Sequence, residues 1–125
     1  MKNVIAILCV LSISSTVFAS TRGDLNAAFS FLYEKSVRSS MQAEQMSKIY
    51  ISILNSENSC IKKTSQFCED SSVSPQIEKM ITLRTEAYFL MGKPRTEKTI
   101  EKVKSLEAER DALGQELVDQ VVKGL

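Results

Sequence analysis

The chain has 125 residues, and its composition excludes several classes of protein. It contains no histidine, which excludes Ser-His-Asp and Cys-His catalysis, histidine metal ligands and a histidine pH switch. Four glycines and two prolines are too few for an all-β chain with its frequent turns. Charged residues at 25% and apolar residues at 43% are typical of a folded chain of this length, with one domain.

The N-terminal segment has the pattern of a secretory signal. Lys2 precedes the apolar run Val4–Val10, a Ser-rich stretch follows, and Val17-Phe18-Ala19 has small residues at the cleavage positions. We expect residues 1–19 to be a signal and residues 20–125 to be one helical domain exported to the periplasm. The alternative is that the segment stays as a membrane anchor, since the 17 residues 3–19 reach the short limit for a membrane span.

Removal of this segment changes the charge of the chain. Lys2 is one of 16 basic residues, so 15 basic residues then face 15 acidic ones. A net charge of zero predicts no nucleic-acid partner and no anionic-lipid partner. We therefore expect the partner to be another protein, with membrane contact through the signal segment alone.

The first half of the exported chain carries two helical patterns. Asp24 is the expected N-cap of the first, and Ser39 with Gln42 fits a capping box that would open the second. Whether residues 24–55 form one kinked helix or two is left open by the sequence. The apolar positions at helical spacing are Leu25, Ala28, Phe29 and Leu32, and then Ala43, Met46, Ile49, Tyr50 and Ile53.

Residues 55–74 interrupt the helical pattern and predict a long loop. Cys60 and Cys68 are the two cysteines that remain after the signal, and an even number in an exported chain predicts a structural disulfide. A redox or metal-binding pair is the alternative, disfavoured by the seven intervening residues and the lack of other soft ligands. We expect Ile61 and Phe67 to pack this loop onto the helices.

Two further helices follow in the sequence. Ser74-Pro75 predicts the start of one, and Gly92 with Pro94 predicts its end. Its apolar stripe is Ile77, Met80, Ile81, Ala87, Tyr88 and Met91.

The last helix is predicted from Thr96 onwards, with an apolar stripe that approaches a heptad pattern and is interrupted by Arg110. We favour packing of this helix on its own domain. The alternative is an appendage over about 96–125 that self-associates through Ile100, Val103, Leu106, Leu113 and Leu117. The predicted fold class is all-α, a small bundle of three to four amphipathic helices with one disulfide-closed loop after the signal segment.

The sequence contains no catalytic motif, phosphate-binding loop or zinc-ligand spacing, so we expect neither an enzyme nor a metal or other cofactor. The adjacent carboxylates Glu69 and Asp70 are interpreted as charged residues that keep the loop soluble. Three aromatic residues, Phe31, Tyr33 and Phe89, lie beside the apolar stripes rather than in them. Either other helices cover them, or they form a surface that contacts a partner protein.

The stretch Phe31–Ser40, FLYEKSVRSS, resembles the first periplasmic helix of the lysis-inhibition antiholins of T-even-type phages. The order of signal, helix, cysteine pair and helix is also similar, whereas Thr96–Leu125 has no counterpart. The resemblance implies a small exported helical protein that binds the periplasmic domain of the phage holin and delays host lysis. It also implies that the signal segment can act as a releasable anchor, held transiently in the inner membrane. The alternative function is a non-catalytic bacterial protein of the periplasm, either an immunity protein or an envelope assembly factor.

Overall fold

The computed structural model describes residues 21–66, 68 and 74–125. The predicted signal segment, Phe67, Glu69 and Asp70 lie outside the described residues. The described part is all-helical and contains no strand, which confirms the predicted all-α class. Its helices are α1 (Arg22–Arg38), α2 (Ala43–Thr64), α3 (Pro75–Met91) and α4 (Glu97–Lys123).

The N-cap of helix α1 lies three residues before the predicted one. Thr21 is the N-cap, and its hydroxyl oxygen accepts the backbone N–H of Asp24 at 3.1 Å. Asp24 is therefore in the first turn, where its negative charge interacts favourably with the helix dipole. The prediction that Asp24 caps the helix was wrong, because the helix already begins at Arg22 and the hydroxyl of Thr21 supplies the cap.

Helices α1 and α2 are separate. Ser39 ends α1 in extended conformation, and its N–H donates to the carbonyl of Lys35 at 2.9 Å. Gln42 precedes α2 with a left-handed φ of 97° and makes no side-chain capping bond. The predicted capping box was therefore wrong, since Ser39 closes the first helix instead of opening the second.

Helix α2 continues through half of the predicted loop. It ends only at Ser65, whose left-handed conformation (φ 54°) stops the helix. Cys60 thus lies in the last two turns of α2, and its sulfur is at disulfide distance from that of Cys68, with the two Cα atoms 5.9 Å apart. Ile61 is exposed, so the prediction that it packs the segment onto the helices was wrong.

The predicted boundaries of α3 and α4 are confirmed. The hydroxyl of Ser74 accepts the N–H of Ile77 at 3.3 Å, and Gly92 follows the last residue of α3. The hydroxyl of Thr96 accepts the N–H of Thr99 at 3.2 Å and opens α4. Both caps satisfy backbone donors that have no partner within the helix.

Helix α4 is the central element of the bundle. It packs on α3 most extensively and also on α1 and α2, while α1 packs on α2. Leu106 and Leu117 are buried inside this bundle, so the last helix packs on its own domain as favoured, and these two residues are not available to the alternative self-associating seam. Val103 and Leu113 are half-buried, and only Ile100 of the predicted seam is exposed.

One core joins all four helices, and a smaller one lies between α3 and α4. The smaller cluster contains Leu83, Ala87 and Leu106. The larger one consists of Leu25, Ala28, Phe31, Leu32, Ile49, Ile53, Ile77, Met80, Leu117, Val118 and Val121.

Candidate functional site

A groove runs between α1 and α3 over α4. Both helices pack on α4, but they make far fewer contacts with each other. Two adjoining cavities of about 210 and 250 Å³ follow this line, and a third of about 410 Å³, lined by no α1 residue, continues it between α3 and α4. They run from Ala27 and Ile77 at one end to Arg95 and Thr99 at the turn between α3 and α4. We call this feature the α1–α3 groove.

The α3 wall of the groove is apolar and exposed. Ile81, Tyr88 and Met91 are 56%, 59% and 51% exposed, and their spacing of seven and three residues puts them on one face of the helix. The prediction that they share a buried stripe with Ile77, Met80 and Ala87 was wrong for these three side chains. Leu83 takes a place in the core stripe, so the apolar face of α3 is wider than the bundle covers.

A carboxylate in the groove bridges two arginines from different helices. Oε1 of Glu34, on α1, is 2.6 Å from Nη1 of Arg84, on α3. Its other oxygen pairs with Arg110 of α4. Nη2 of Arg84 also donates to the hydroxyl of Tyr88 at 3.3 Å. Glu34 thereby connects the two walls of the groove to its floor.

The arginines also set the protonation of this carboxyl group. Partial burial raises the pKa of Glu34, but hydrogen bonds and charge from Arg110 and Arg84 together outweigh it, so the pKa lies below its ordinary value. Glu34 is therefore ionised at neutral pH, and one negative charge is shared by two cations.

A second basic group surrounds the end of the groove at the α3–α4 turn. Lys93, Arg95 and Lys104 line the largest of the three cavities, together with the apolar Ile100 and Val103. With Arg38, Arg84 and Arg110, six basic residues line the groove against the two acidic residues Glu34 and Glu107. Its lining has a net charge of four positive units, although the whole chain has a net charge of only +1.

The structure separates the three aromatic residues that the sequence predicted as a partner surface. Phe31 is only 4% exposed and belongs to the core, so its prediction as a surface contact was wrong. Tyr33 is 58% exposed on the α1–α2 side, where its ring stacks with Phe29 at 6.5 Å between centroids. Phe89 is 66% exposed, and Nζ of Lys93 lies 4.7 Å from its ring centroid. Tyr33 and Phe89 do not line the groove cavities, and their contact with a partner stays a prediction.

The cysteine pair is not part of the groove. It lies at the C-terminal end of α2, where the hydroxyl of Thr64 donates to the carbonyl of Cys60 at 3.0 Å and lies 3.4 Å from Sγ of Cys68. These contacts are exposed and local, which is the arrangement expected of a bridge that secures a chain segment.

Sequence reasoning missed Arg84, Tyr88 and Arg110 as groove residues. Two signals pointed to them: Arg110 interrupts the apolar stripe of the last helix, and the apolar face of α3 is unusually wide. An arginine within an apolar stripe needs an acidic partner, and Glu34 is that partner only because α1 packs against α4.

The groove offers apolar contact surface and fixed positive charge. Within the described residues, no three cysteine or carboxylate side chains lie close enough together to hold a metal ion. No helix in this part of the chain is long and apolar enough to cross a membrane. Comparison of the sequence and structure with protein-family models, curated proteins and solved structures found no match.

Proposed function

We propose that this chain is an exported, non-catalytic binding protein that inhibits or regulates a partner protein through the α1–α3 groove. The observation that carries the proposal is the exposed face of Ile81, Tyr88 and Met91 on the groove wall. Aromatic and methionine side chains are enriched in protein interfaces, and concentrated apolar exposure of this kind is typical of a binding surface.

The specific form of the proposal is an antiholin. Phe31–Ser40, which resembles the first periplasmic helix of the T-even-type antiholins, forms the second half of α1 and its end. It contributes Glu34 and Arg38 to the lining of the groove. The partner would then be the periplasmic domain of a phage holin, and occupation of that domain would delay lysis.

Three matched variants test which surface binds the partner. Tyr88→Ala truncates the groove wall, Phe89→Ala truncates the neighbouring residue outside the groove, and Tyr33→Ala truncates the α1–α2 side. All three rings are more than half exposed, so the thermal unfolding midpoint should change little. We expect Tyr88→Ala alone to weaken partner binding at least about tenfold, as a central interface aromatic does.

The experiment measures binding to the purified periplasmic holin domain by calorimetry, and lysis time in cells that express the chain with the holin. Loss of binding in Phe89→Ala but not in Tyr88→Ala would place the partner on the other side of α3. No binding and no lysis delay with the unaltered chain would refute the antiholin form. An envelope protein or toxin that binds instead, with the same sensitivity to Tyr88→Ala, would leave the groove as the binding site of a different regulator.

A further inference from the structure

We propose that the segment held in the α1–α3 groove is an amphipathic helix of the partner that carries acidic residues toward the α3–α4 turn. This inference rests on the proposed function, because it names the chemistry of the bound segment. It is carried by the shape of the groove and by the distribution of charge along it.

The length of the groove fits a short helix. The α3 wall extends from Ile77 to Met91, which at the rise of an α-helix is about 21 Å, or close to four turns. A helix lying along α3, outside the Glu34–Arg84 ion pair that joins the two walls, would place an apolar stripe on Ile81, Tyr88 and Met91. Recognition of this kind uses apolar side chains at i, i+3, i+4 and i+7 as anchors.

The charge of the groove is unevenly distributed. The end near Ala27 and Ile77 is apolar, whereas Lys93, Arg95 and Lys104 surround the opposite end. These three side chains are exposed and available to a ligand. The bound helix should therefore have an apolar end and an acidic end.

The middle of the groove favours carboxylates as well. Arg38 and Arg84 face the central cavity, and the side chain of Arg84 is 45% exposed despite its pairing with Glu34. A guanidinium group can bind a carboxylate through two parallel hydrogen bonds, so a partner Asp or Glu would fit here. A basic helix would be repelled by the net charge of the lining.

The shape of the site favours a protein segment over an anionic membrane. The basic side chains line a concave groove between two helices, whereas a lipid surface requires cations on a face that a bilayer can reach. A peptide helix can lie along the groove and contact its apolar wall and its cations together.

Synthetic helices can test the inference before the partner itself is identified. The probe is a 16-residue stapled peptide with leucine at the i, i+3, i+4 and i+7 positions and glutamate elsewhere; its control has lysine in place of every glutamate. Fluorescence anisotropy is measured with the full chain, purified in the form in which it accumulates in cells. We expect the acidic peptide to bind at least about tenfold more tightly, with an affinity that falls as salt is added.

Two charge-matched variants locate the site. Arg95→Glu with Lys104→Glu reverses two groove cations and should weaken binding of the acidic peptide about tenfold. Lys98→Glu with Lys102→Glu changes the net charge equally on exposed positions that do not line the groove, and should change binding less than about twofold.

Several outcomes would overturn the inference. The basic peptide could bind as tightly as the acidic one or more tightly, or neither peptide could bind. The two charge variants could also lose affinity for the acidic peptide equally. Sedimentation with phosphatidylglycerol vesicles that only the groove variant abolishes, without peptide binding, would assign the site to lipid. A dimer dispersed by Tyr88→Ala would assign the groove to a second copy of the chain. If a natural partner binds with sensitivity to Tyr88→Ala but not to groove charge reversal, the proposed function stands and the acidic helix does not.

Discussion

The ring of Phe31 packs directly on the backbone of α4 at Gly114. A Cβ atom built on Gly114 would lie within 3.0 Å of three ring carbons of Phe31, closer than real side chains approach. In an isolated helix this glycine costs up to about 1 kcal/mol relative to alanine. Here it allows an aromatic side chain from α1 to reach the central helix, which explains a glycine in the middle of α4.

Gly114→Ala should therefore destabilise the protein, although alanine is the better helix former. Crowding against Phe31 costs about 1–3 kcal/mol, which exceeds the gain in propensity. Urea unfolding measures the difference in free energy of unfolding between the variant and the unaltered chain. Gly92→Ala is the control, because a Cβ there would meet only the carbonyl oxygen of Phe89 at 3.5 Å, an ordinary contact, and should be neutral or slightly stabilising. A stabilised Gly114→Ala variant would show that the ring moves aside without cost.

Glu34 should make stability depend on pH in the acidic range. Its pKa is lowered in the folded state, so its contribution is complete above the unfolded value near 4.5 and is lost as pH falls through the lower folded value. Glu34→Gln should cost about 1 kcal/mol at pH 7, where Arg84 and Arg110 lose their shared partner.

The difference in stability between Glu34→Gln and the unaltered chain should shrink as pH falls from 5 toward 3. Urea unfolding midpoints at each pH measure this difference. Glu44→Gln is the control, because Glu44 pairs with Lys48 on the exposed face of α2 and its loss should leave the midpoint nearly unchanged. A constant difference across this pH range would contradict the role of the ionised Glu34 carboxylate.

At the scale of the elements, α2 is the helix that depends most on a tether. Its last turns carry the exposed residues Ile61–Thr64 and, just before them, Cys60, one half of the cysteine pair. Short polar side chains such as those of Asn58 and Ser59 favour helix only weakly, so this end has little intrinsic stability.

Replacement of both cysteines, Cys60→Ser with Cys68→Ser, should lower the free energy of unfolding by about 2.5 kcal/mol, the loop-closure value for a ring of this size. Hydrogen exchange should accelerate at the C-terminal end of α2 and remain unchanged at the α3–α4 contact in conditions where exchange is local. The unaltered chain with a reducing agent is the control and should behave like the variant. Equal stability with and without the reducing agent would show that the pair contributes nothing to the fold.

At the scale of the whole molecule, the fold depends on its last helix. Helix α4 contributes Leu106, Leu117, Val118 and Val121 to the two core clusters and packs on each of the other helices. Truncation after Lys93 should therefore abolish cooperative unfolding and most of the helical circular dichroism. Removal of only Gly124 and Leu125, which are exposed, is the control and should leave the melting curve nearly unchanged. A cooperative transition in the chain that ends at Lys93 would contradict the central role of α4.

Much of the fold could be predicted because it depends on local chemistry. The boundaries of α3 and α4 follow from Ser74, Pro75, Gly92 and Thr96, whose effects on the helix ends act within a few residues. The end of α2 could not be predicted in the same way. Its Asn and Ser residues are typical of a loop, but the helix continues through them and stops only at the left-handed conformation of Ser65.

The candidate site could be predicted only in part. Apolar spacing identified Ile81, Tyr88 and Met91 as one face of a helix, but not which part of that face remains exposed. Burial depends on which helix lies opposite, and that is a long-range property of the fold. Local sequence thus decides the helical class and the helix ends of α3 and α4. The tertiary packing decides that Phe31 is covered, that Gly114 is required, and that Glu34 meets Arg84 and Arg110, because these contacts join residues far apart in the chain.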